Sequence, residues 1–195
     1  MEDVNDWSVT FDSDDLTERG WRYVAESFLS KGRSFLAAAV LLERQGGHRF
    51  VVLHLLCQGT EIILKSLLLF LDHKKYRKPC KKYRHDLNQV ISASIEAFRL
   101  HPLRPALAKE VNTLNNIYMR HLLRYESVHD LLVSPASIES DRMLRRMAAV
   151  MRASRSANWQ GSNDSRSILL VASPLWKADR QNAGSTKARV PLALH

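Results

Sequence analysis

The residues best suited to chemistry are a run of cations with two aromatic side chains among them. Between Lys74 and Arg84 the sequence has seven Lys or Arg, no acid, and two tyrosines. Cations neutralise phosphates and aromatic rings stack on bases, so this composition is typical of a surface that binds a nucleic-acid backbone without reading its sequence. The alternative is a solvated loop that keeps the protein soluble. The candidate binding residues are Lys74, Lys75, Tyr76, Arg77, Lys78, Lys81, Lys82, Tyr83, Arg84 and His85.

Two local features refine this surface. Pro79 predicts that the basic stretch is not one regular helix, because proline removes a hydrogen bond from a helix interior. Asp86 then suits the start of the next helix, where its carboxylate can accept a backbone N–H. The functional alternative is that His85 and Lys82 hold a phosphate at the free N–H groups of that helix start.

The segment from Phe50 to Leu71 is apolar around most of a helix and has one narrow polar seam. Its polar residues, His54, Gln58, Glu61 and Lys65, fall within a stripe about 60° wide. Two charges and a His near its middle argue against a membrane span. We therefore predict the buried central helix of a soluble bundle. Four environments are compatible with the seam: solvent, polar residues of a neighbouring helix, a ligand cleft or a dimer interface.

Four further helices complete the predicted fold. They run from Trp21 to Gln45, from His85 or Asp86 to about Leu100, from Pro105 onward, and from Ser134-Pro135 to about Ala153. Their predicted inward residues are Phe28, Phe35, Ala38, Ala39 and Leu42; Leu87, Val90, Ile91, Ile95 and Phe98; Leu107, Val111, Leu114, Tyr118 and Leu122; and Ile138, Leu144, Met147 and Met151.

Length and composition indicate one domain with appendages. The chain has 195 residues and 45% hydrophobic content, enough for one core. We predict an all-α fold, an up-and-down bundle of four to five helices over residues 21–153. An acidic leader precedes it at residues 1–20, and a disordered or weakly ordered tail follows at residues 154–195.

The net charge of +9 is distributed unevenly. The first 18 residues contain seven acids and no Lys or Arg, so the rest of the chain sums to +16. A basic body attracts polyanions, and the leader is either solvated or lies across the basic surface as an intramolecular competitor. Two cysteines without metal-ligand spacing, and no signal peptide, predict a cytoplasmic protein in a reducing environment.

Two segments carry a family resemblance. They are LHLLCQGTEIILKSLL, from Leu53 to Leu68, and KKYRHDLNQVI, from Lys81 to Ile91. Together they resemble the HEPN superfamily over about residues 22–153. The resemblance implies a helical bundle of four or five helices, often a homodimer, with RNA or a nucleotide as its usual ligand.

Many members of that superfamily are metal-independent ribonucleases with an Arg, four to six residues and a His near the last core helix. Arg124 and His129 match this spacing. By resemblance His129 would transfer protons at the ribose 2′-hydroxyl or the leaving oxygen, and Arg124 would stabilise the charge on the phosphate. On an uninterrupted helix the two would point about 140° apart, so a helix break or a dimer mate is required. Alternatively, Arg124 caps a helix and His129 begins the next turn.

The sequence thus predicts a domain that binds RNA or a nucleotide phosphate, without assured catalysis. One alternative is a toxin-like ribonuclease restrained by a nucleotidyltransferase-like partner protein, and another is a protein–protein interaction module. We expect no cofactor and no metal, because the sequence lacks a Gly-rich phosphate loop, a Cys/His metal set, a Gly-x-Ser-x-Gly elbow and a His-Glu-x-x-His helix.

Overall fold

The computed structural model describes residues 16–123 and 137–156, with side chains for residues 16–123 and 137–150. Within these ranges the chain forms α-helices and no strand. The helices are α1 (Glu18–Arg44), α2 (Arg49–Leu71), α3 (His73–Lys82), α4 (Leu87–Phe98), α5 (Pro105–Met119) and α6 (Asp141–Ser156). The predicted all-α bundle is confirmed, and the described residues form six helices rather than four or five. Most of the predicted leader and tail lie outside the described residues.

Helices α1 and α2 form the hairpin that the glycine pair predicted. Gly46 adopts φ +68°, a left-handed conformation that glycine tolerates, and the Gly47 N–H donates to the carbonyl of Leu42 at 2.7 Å. The two helices then pack along each other more extensively than any other pair. Gly32 of α1 and Gly59 of α2 meet in this contact, where either backbone approaches too closely for an added Cβ.

The inward face of α1 differs from the predicted one. Phe28 is 42% exposed, which corrects its assignment to the core, and Phe35, Ala38 and Leu42 are only partly buried. The buried residues are Trp21, Ala25, Leu29, Gly32, Leu36 and Ala39. Small residues recur along this face because they let α1 approach α2 closely, and that close approach decides the rotation of the helix.

Helix α2 is the centre of the core, as predicted. Leu53, Leu56, Ile63, Leu64 and other apolar residues along it are fully buried. By length and composition alone α2 could cross a membrane, but 67% of its most hydrophobic window is buried inside the protein. Burial of that extent accords with a core helix.

The basic stretch forms helix α3, which corrects the prediction from Pro79. Asp72 caps the helix by accepting the N–H of Lys75 at 2.9 Å, and the Tyr83 N–H still donates to the Pro79 carbonyl at 2.9 Å. Pro79 removes one helical hydrogen bond. Burial of Tyr76 and Cys80 on the inner side holds the turn together despite that loss.

Helices α4 and α5 begin where the sequence predicted. Asp86 caps α4 by accepting the Gln89 N–H at 3.1 Å, so the structural interpretation of Asp86 is confirmed. The neighbouring Leu87 N–H donates to Asn115 Oδ1 at 2.7 Å, which ties the start of α4 to α5. Pro105 occupies the first turn of α5, where its missing N–H costs nothing.

Helix α6 begins later than predicted, at Asp141 rather than at Ser134-Pro135. The buried carboxylate of Glu110, on α5, accepts the N–H groups of Arg142 and Met143, both at 3.1 Å. A carboxylate from another helix therefore caps this first turn. Met147 and Ile138 are buried as predicted, Leu144 is partly buried, and the Met151 side chain is outside the described residues.

Candidate nucleic-acid interface

Five lysines share one exposed face of α3. At about 100° per residue they fall within roughly 120° of the helix circumference. We call them the lysine face: Lys74, Lys75, Lys78, Lys81 and Lys82. The opposite side of α3 places Tyr76 and Cys80 in the core, so the lysines stand on a helix whose orientation is fixed by packing.

The remaining predicted cations and aromatics have different surroundings. The Arg77 guanidinium lies 5.7 Å from the centre of the Trp21 ring, and Trp21 in turn stacks on His73 at 5.5 Å. These contacts anchor the underside of α3 to the start of α1, and a cation–π contact of this kind stabilises by about 0.5–1 kcal/mol at an accessible site. Arg84 is exposed, with φ +45°.

The two tyrosines do not form the predicted pair of stacking platforms. Tyr76 is 6% exposed, so its ring packs in the core and offers no open face to a base. Lys75 lies 5.0 Å from the centre of that ring, and its contact with Tyr76 raises the pKa of the lysine. Tyr83 is partly exposed, so it is the better candidate of the two for stacking on a base.

A buried carboxylate gathers three donors beside the carboxyl end of α3. Glu61 is 5% exposed and accepts from Lys65 Nζ at 2.7 Å, from the Tyr118 hydroxyl at 2.7 Å and from His85 Nδ1 at 3.0 Å. Lys65 also donates to the carbonyl of Arg84. We call Glu61, Lys65, His85 and Tyr118 the Glu61 cluster.

Of the alternatives left open for the polar seam of α2, contact with polar residues of a neighbouring helix is confirmed, whereas a ligand cleft and a dimer interface stay predictions. The seam meets polar groups of neighbouring segments, chiefly Tyr118 of α5. The Tyr118 hydroxyl also lies within hydrogen-bond distance of Gln58 Oε1, at 2.7 Å. The centre of the His54 ring lies 5.8 Å from the centre of the Tyr118 ring. From the sequence, Tyr118 was predicted only as part of an apolar face. Its hydroxyl was the missed signal, because a buried tyrosine O–H usually finds a polar partner.

The cluster opens to solvent at a pair of histidines. The His85 side chain is 34% exposed, and the exposed His121 meets it edge-on with 5.5 Å between ring centres. An imidazole held by a carboxylate at Nδ1 keeps Nε2 for a ligand or for proton transfer. His121 has φ +58°, and no motif in the sequence pointed to it. The structure thus joins one predicted residue, His85, to one that sequence analysis missed.

The predicted catalytic residues Arg124 and His129 lie outside the described residues, so their separation stays a prediction. Of the predicted phosphate site at the start of α4, His85 is held by Glu61 and Lys82 is exposed on the lysine face. Phosphate binding at that helix start therefore stays a prediction.

The two thiols are poor candidates for chemistry. Burial, followed by the negative charge of Glu61, raises the pKa of Cys57 far above its ordinary value. Burial likewise raises the pKa of Cys80 to about 11, although the positive charge of Lys65 acts in the opposite direction. Both thiols therefore stay protonated at neutral pH, and a thiol is a much weaker nucleophile than a thiolate. No group of three His, Cys, Asp or Glu with metal-binding geometry occurs among the described residues.

No family model matches the chain, and no curated protein or solved structure matches it. The resemblance to the HEPN superfamily therefore stays a prediction based on the two quoted segments.

Proposed function

We propose that the protein binds RNA or a nucleotide phosphate on the lysine face of α3. The observation that supports this proposal is the display of five lysines within roughly 120° of one helix whose other side is buried. A solvated loop would not hold five cations on one side, whereas a packed helix keeps their spacing fixed. Lysines bind phosphates as point charges, so we expect little sequence preference.

The salt dependence of RNA binding tests this proposal quantitatively. If all five lysines contact phosphates of a single strand, the logarithm of affinity falls with the logarithm of salt concentration with a slope of about −3.5. That slope is a loss of roughly 100-fold between ~50 and ~200 mM salt. Replacing Lys78 and Lys82 together with Ala should make the slope shallower by about 1.4, measured by fluorescence anisotropy with labelled single-stranded RNA.

A matched double variant provides the control. Lys31 on α1 and Lys109 on α5 are also exposed, so replacing both with Ala changes the net charge equally but leaves α3 intact. This control should keep the wild-type slope, and equal slopes for the two double variants would refute the proposal. Competition by a nucleoside triphosphate distinguishes the ligands, because displacement at micromolar concentration indicates a nucleotide site and resistance indicates an RNA chain.

Metal-independent RNA cleavage is a second candidate function, and the paired imidazoles of His85 and His121 favour it. One imidazole would take the proton of a ribose 2′-hydroxyl, whose oxygen bonds to phosphorus. The other would protonate the 5′-oxygen as its bond to phosphorus breaks, which leaves a 2′,3′-cyclic phosphate. The ribonuclease predicted by resemblance would instead use Arg124 and His129.

Incubation of labelled RNA with the protein in EDTA separates these possibilities. If the histidine pair is catalytic, His85→Ala and His121→Ala should each slow cleavage by about 10²–10⁴-fold, the usual contribution of a general acid or base. Loss of cleavage only in Arg124→Ala and His129→Ala would assign the reaction to the pair predicted by resemblance. Absence of cleavage in the wild type would argue against both ribonuclease candidates and favour RNA or nucleotide binding.

A protein–protein interaction module remains the third candidate, and RNA affinity that hardly changes with salt would favour it. The predicted homodimer, the nucleotidyltransferase-like partner and the cytoplasmic location also stay predictions.

A further inference from the structure

An open groove of about 490 Å³ lies between the first half of α1, the second half of α2 and α3. Its walls are mainly apolar, formed by Leu16, Trp21, Val24, Phe28, Ile62 and Leu69. Phe28 is 42% exposed here, an unusual position for a large aromatic side chain. The groove therefore has apolar surface that a ligand could cover.

Cations line the groove beside α3. Lys65, Arg77 and Lys81 contribute to its wall, and Lys81 also belongs to the lysine face. The one acid in the wall, Glu61, forms an ion pair with Lys65, so these two charges largely offset each other and Arg77 and Lys81 supply the net positive charge. A segment that combines bulky apolar side chains with carboxylates would match both the wall and the cations.

The leader of this chain has that composition. Residues 1–15 contain six acids and no Lys or Arg, together with four bulky apolar residues besides Met1. The apolar residues are Val4, Trp7, Val9 and Phe11. Leu16 itself lines the groove, so the leader joins the described structure at the groove wall.

The chain length permits contact. Four residues separate Phe11 from Leu16, so the five steps between their Cα atoms span at most about 18 Å of extended chain. Attachment at Leu16 also makes docking intramolecular, and a short link gives an effective concentration in the millimolar range. Even a weak contact is then well populated.

We propose that the leader folds back and docks in this groove, with its apolar side chains on the wall and Asp12, Asp14 and Asp15 facing Lys81 and Arg77. The leader is then an intramolecular ligand of the protein. Docking does not depend on RNA binding. One consequence does rest on the proposed function: a docked leader competes with phosphates for Lys81.

Carbodiimide cross-linking of the full chain tests the docking, because this reagent joins carboxylates to lysine amines that are in contact. Peptide mass spectrometry of the monomer should find links from Asp12, Asp14 or Asp15 to Lys81. Phe28→Ser removes apolar wall at an exposed position and should lower the equilibrium constant for docking about tenfold, which corresponds to about 1.4 kcal/mol of lost contact, so the yield of these links should fall. Phe11→Ser should reduce them similarly.

Tyr23→Ser is the matched control, since Tyr23 is an exposed aromatic on α1 that does not line the groove. It should leave the yield of links to Lys81 unchanged. Three results would each overturn the proposal. They are equal yields in wild type and Phe28→Ser, links to the exposed Lys31 and Lys109 that are as abundant as those to Lys81, and links found only in a dimer band.

A separate measurement tests the competition with RNA. RNA affinity that rises in a variant with Asp12, Asp14 and Asp15 replaced by Asn supports the competition. Cross-links found in a protein that has no affinity for RNA would support docking of the leader and would contradict the proposed function.

Discussion

Gly59→Ala should destabilise the protein by about 2 kcal/mol, although alanine is the better helix former. A Cβ at Gly59 would lie 2.8 Å from Cγ and Cδ2 of Leu36 and 3.0 Å from the carbonyl oxygen of Gly32. Leu36 is 1% exposed and the third atom is backbone, so neither can move without separating α1 from α2. Overpacking of this kind costs about 3 kcal/mol, from which a helix-propensity gain of about 1 kcal/mol is subtracted.

Urea unfolding followed by circular dichroism measures this change, and Gly20→Ala is the control. Gly20 is also in α1, but the nearest atom to its added Cβ is the flexible end of Leu16 at 3.3 Å. There the propensity gain should dominate, with a stabilisation of up to about 1 kcal/mol. If Gly59→Ala proves as stable as Gly20→Ala, the close contact of α1 and α2 is wrong.

Glu61→Ala should lower the free energy of unfolding by about 3 kcal/mol or more. The substitution removes the shared acceptor of Lys65, His85 and Tyr118 and leaves the partly buried lysine ammonium without its carboxylate. Removing one partner of a buried ion pair typically costs about 3–5 kcal/mol, because the other charge stays desolvated. Chemical denaturation at pH 7 measures the loss.

Two further variants isolate the cause. Glu61→Gln keeps the shape of the side chain and one acceptor oxygen, so it should lose less stability than Glu61→Ala. Glu139→Ala removes the carboxylate of an exposed ion pair, whose N–O distance to Arg142 is 3.3 Å, and should change stability by at most about 1 kcal/mol. Similar losses in Glu61→Ala and Glu139→Ala would show that the Glu61 cluster is not formed in solution.

The sequence by itself determined the features that depend on local chemistry. The apolar run of α2 identified the central helix. The Gly46-Gly47 pair predicted the turn that connects α1 to α2, and Asp86 predicted the start of α4. Each follows from periodicity or from a side chain that satisfies its own backbone. The charge of the lysine face was likewise evident from composition.

Tertiary packing decided the features that depend on contacts between distant segments. Pro79 is accommodated within α3 because Tyr76 and Cys80 are buried beneath it, whereas proline considered locally predicted a break. The rotation of α1 followed Gly32, whose lack of a side chain matters only where Gly59 lies opposite.

The candidate site shows the same division. Sequence spacing placed Glu61 and Lys65 together on one helix, because residues four apart are neighbours there. Only the fold brought Tyr118 and His121 to His85, since these residues come from segments far apart in the chain. Sequence alone thus predicted a set of candidate phosphate-binding side chains. Long-range packing decided which of them are held together, because burial and hydrogen bonding between helices depend on the position of every helix at once.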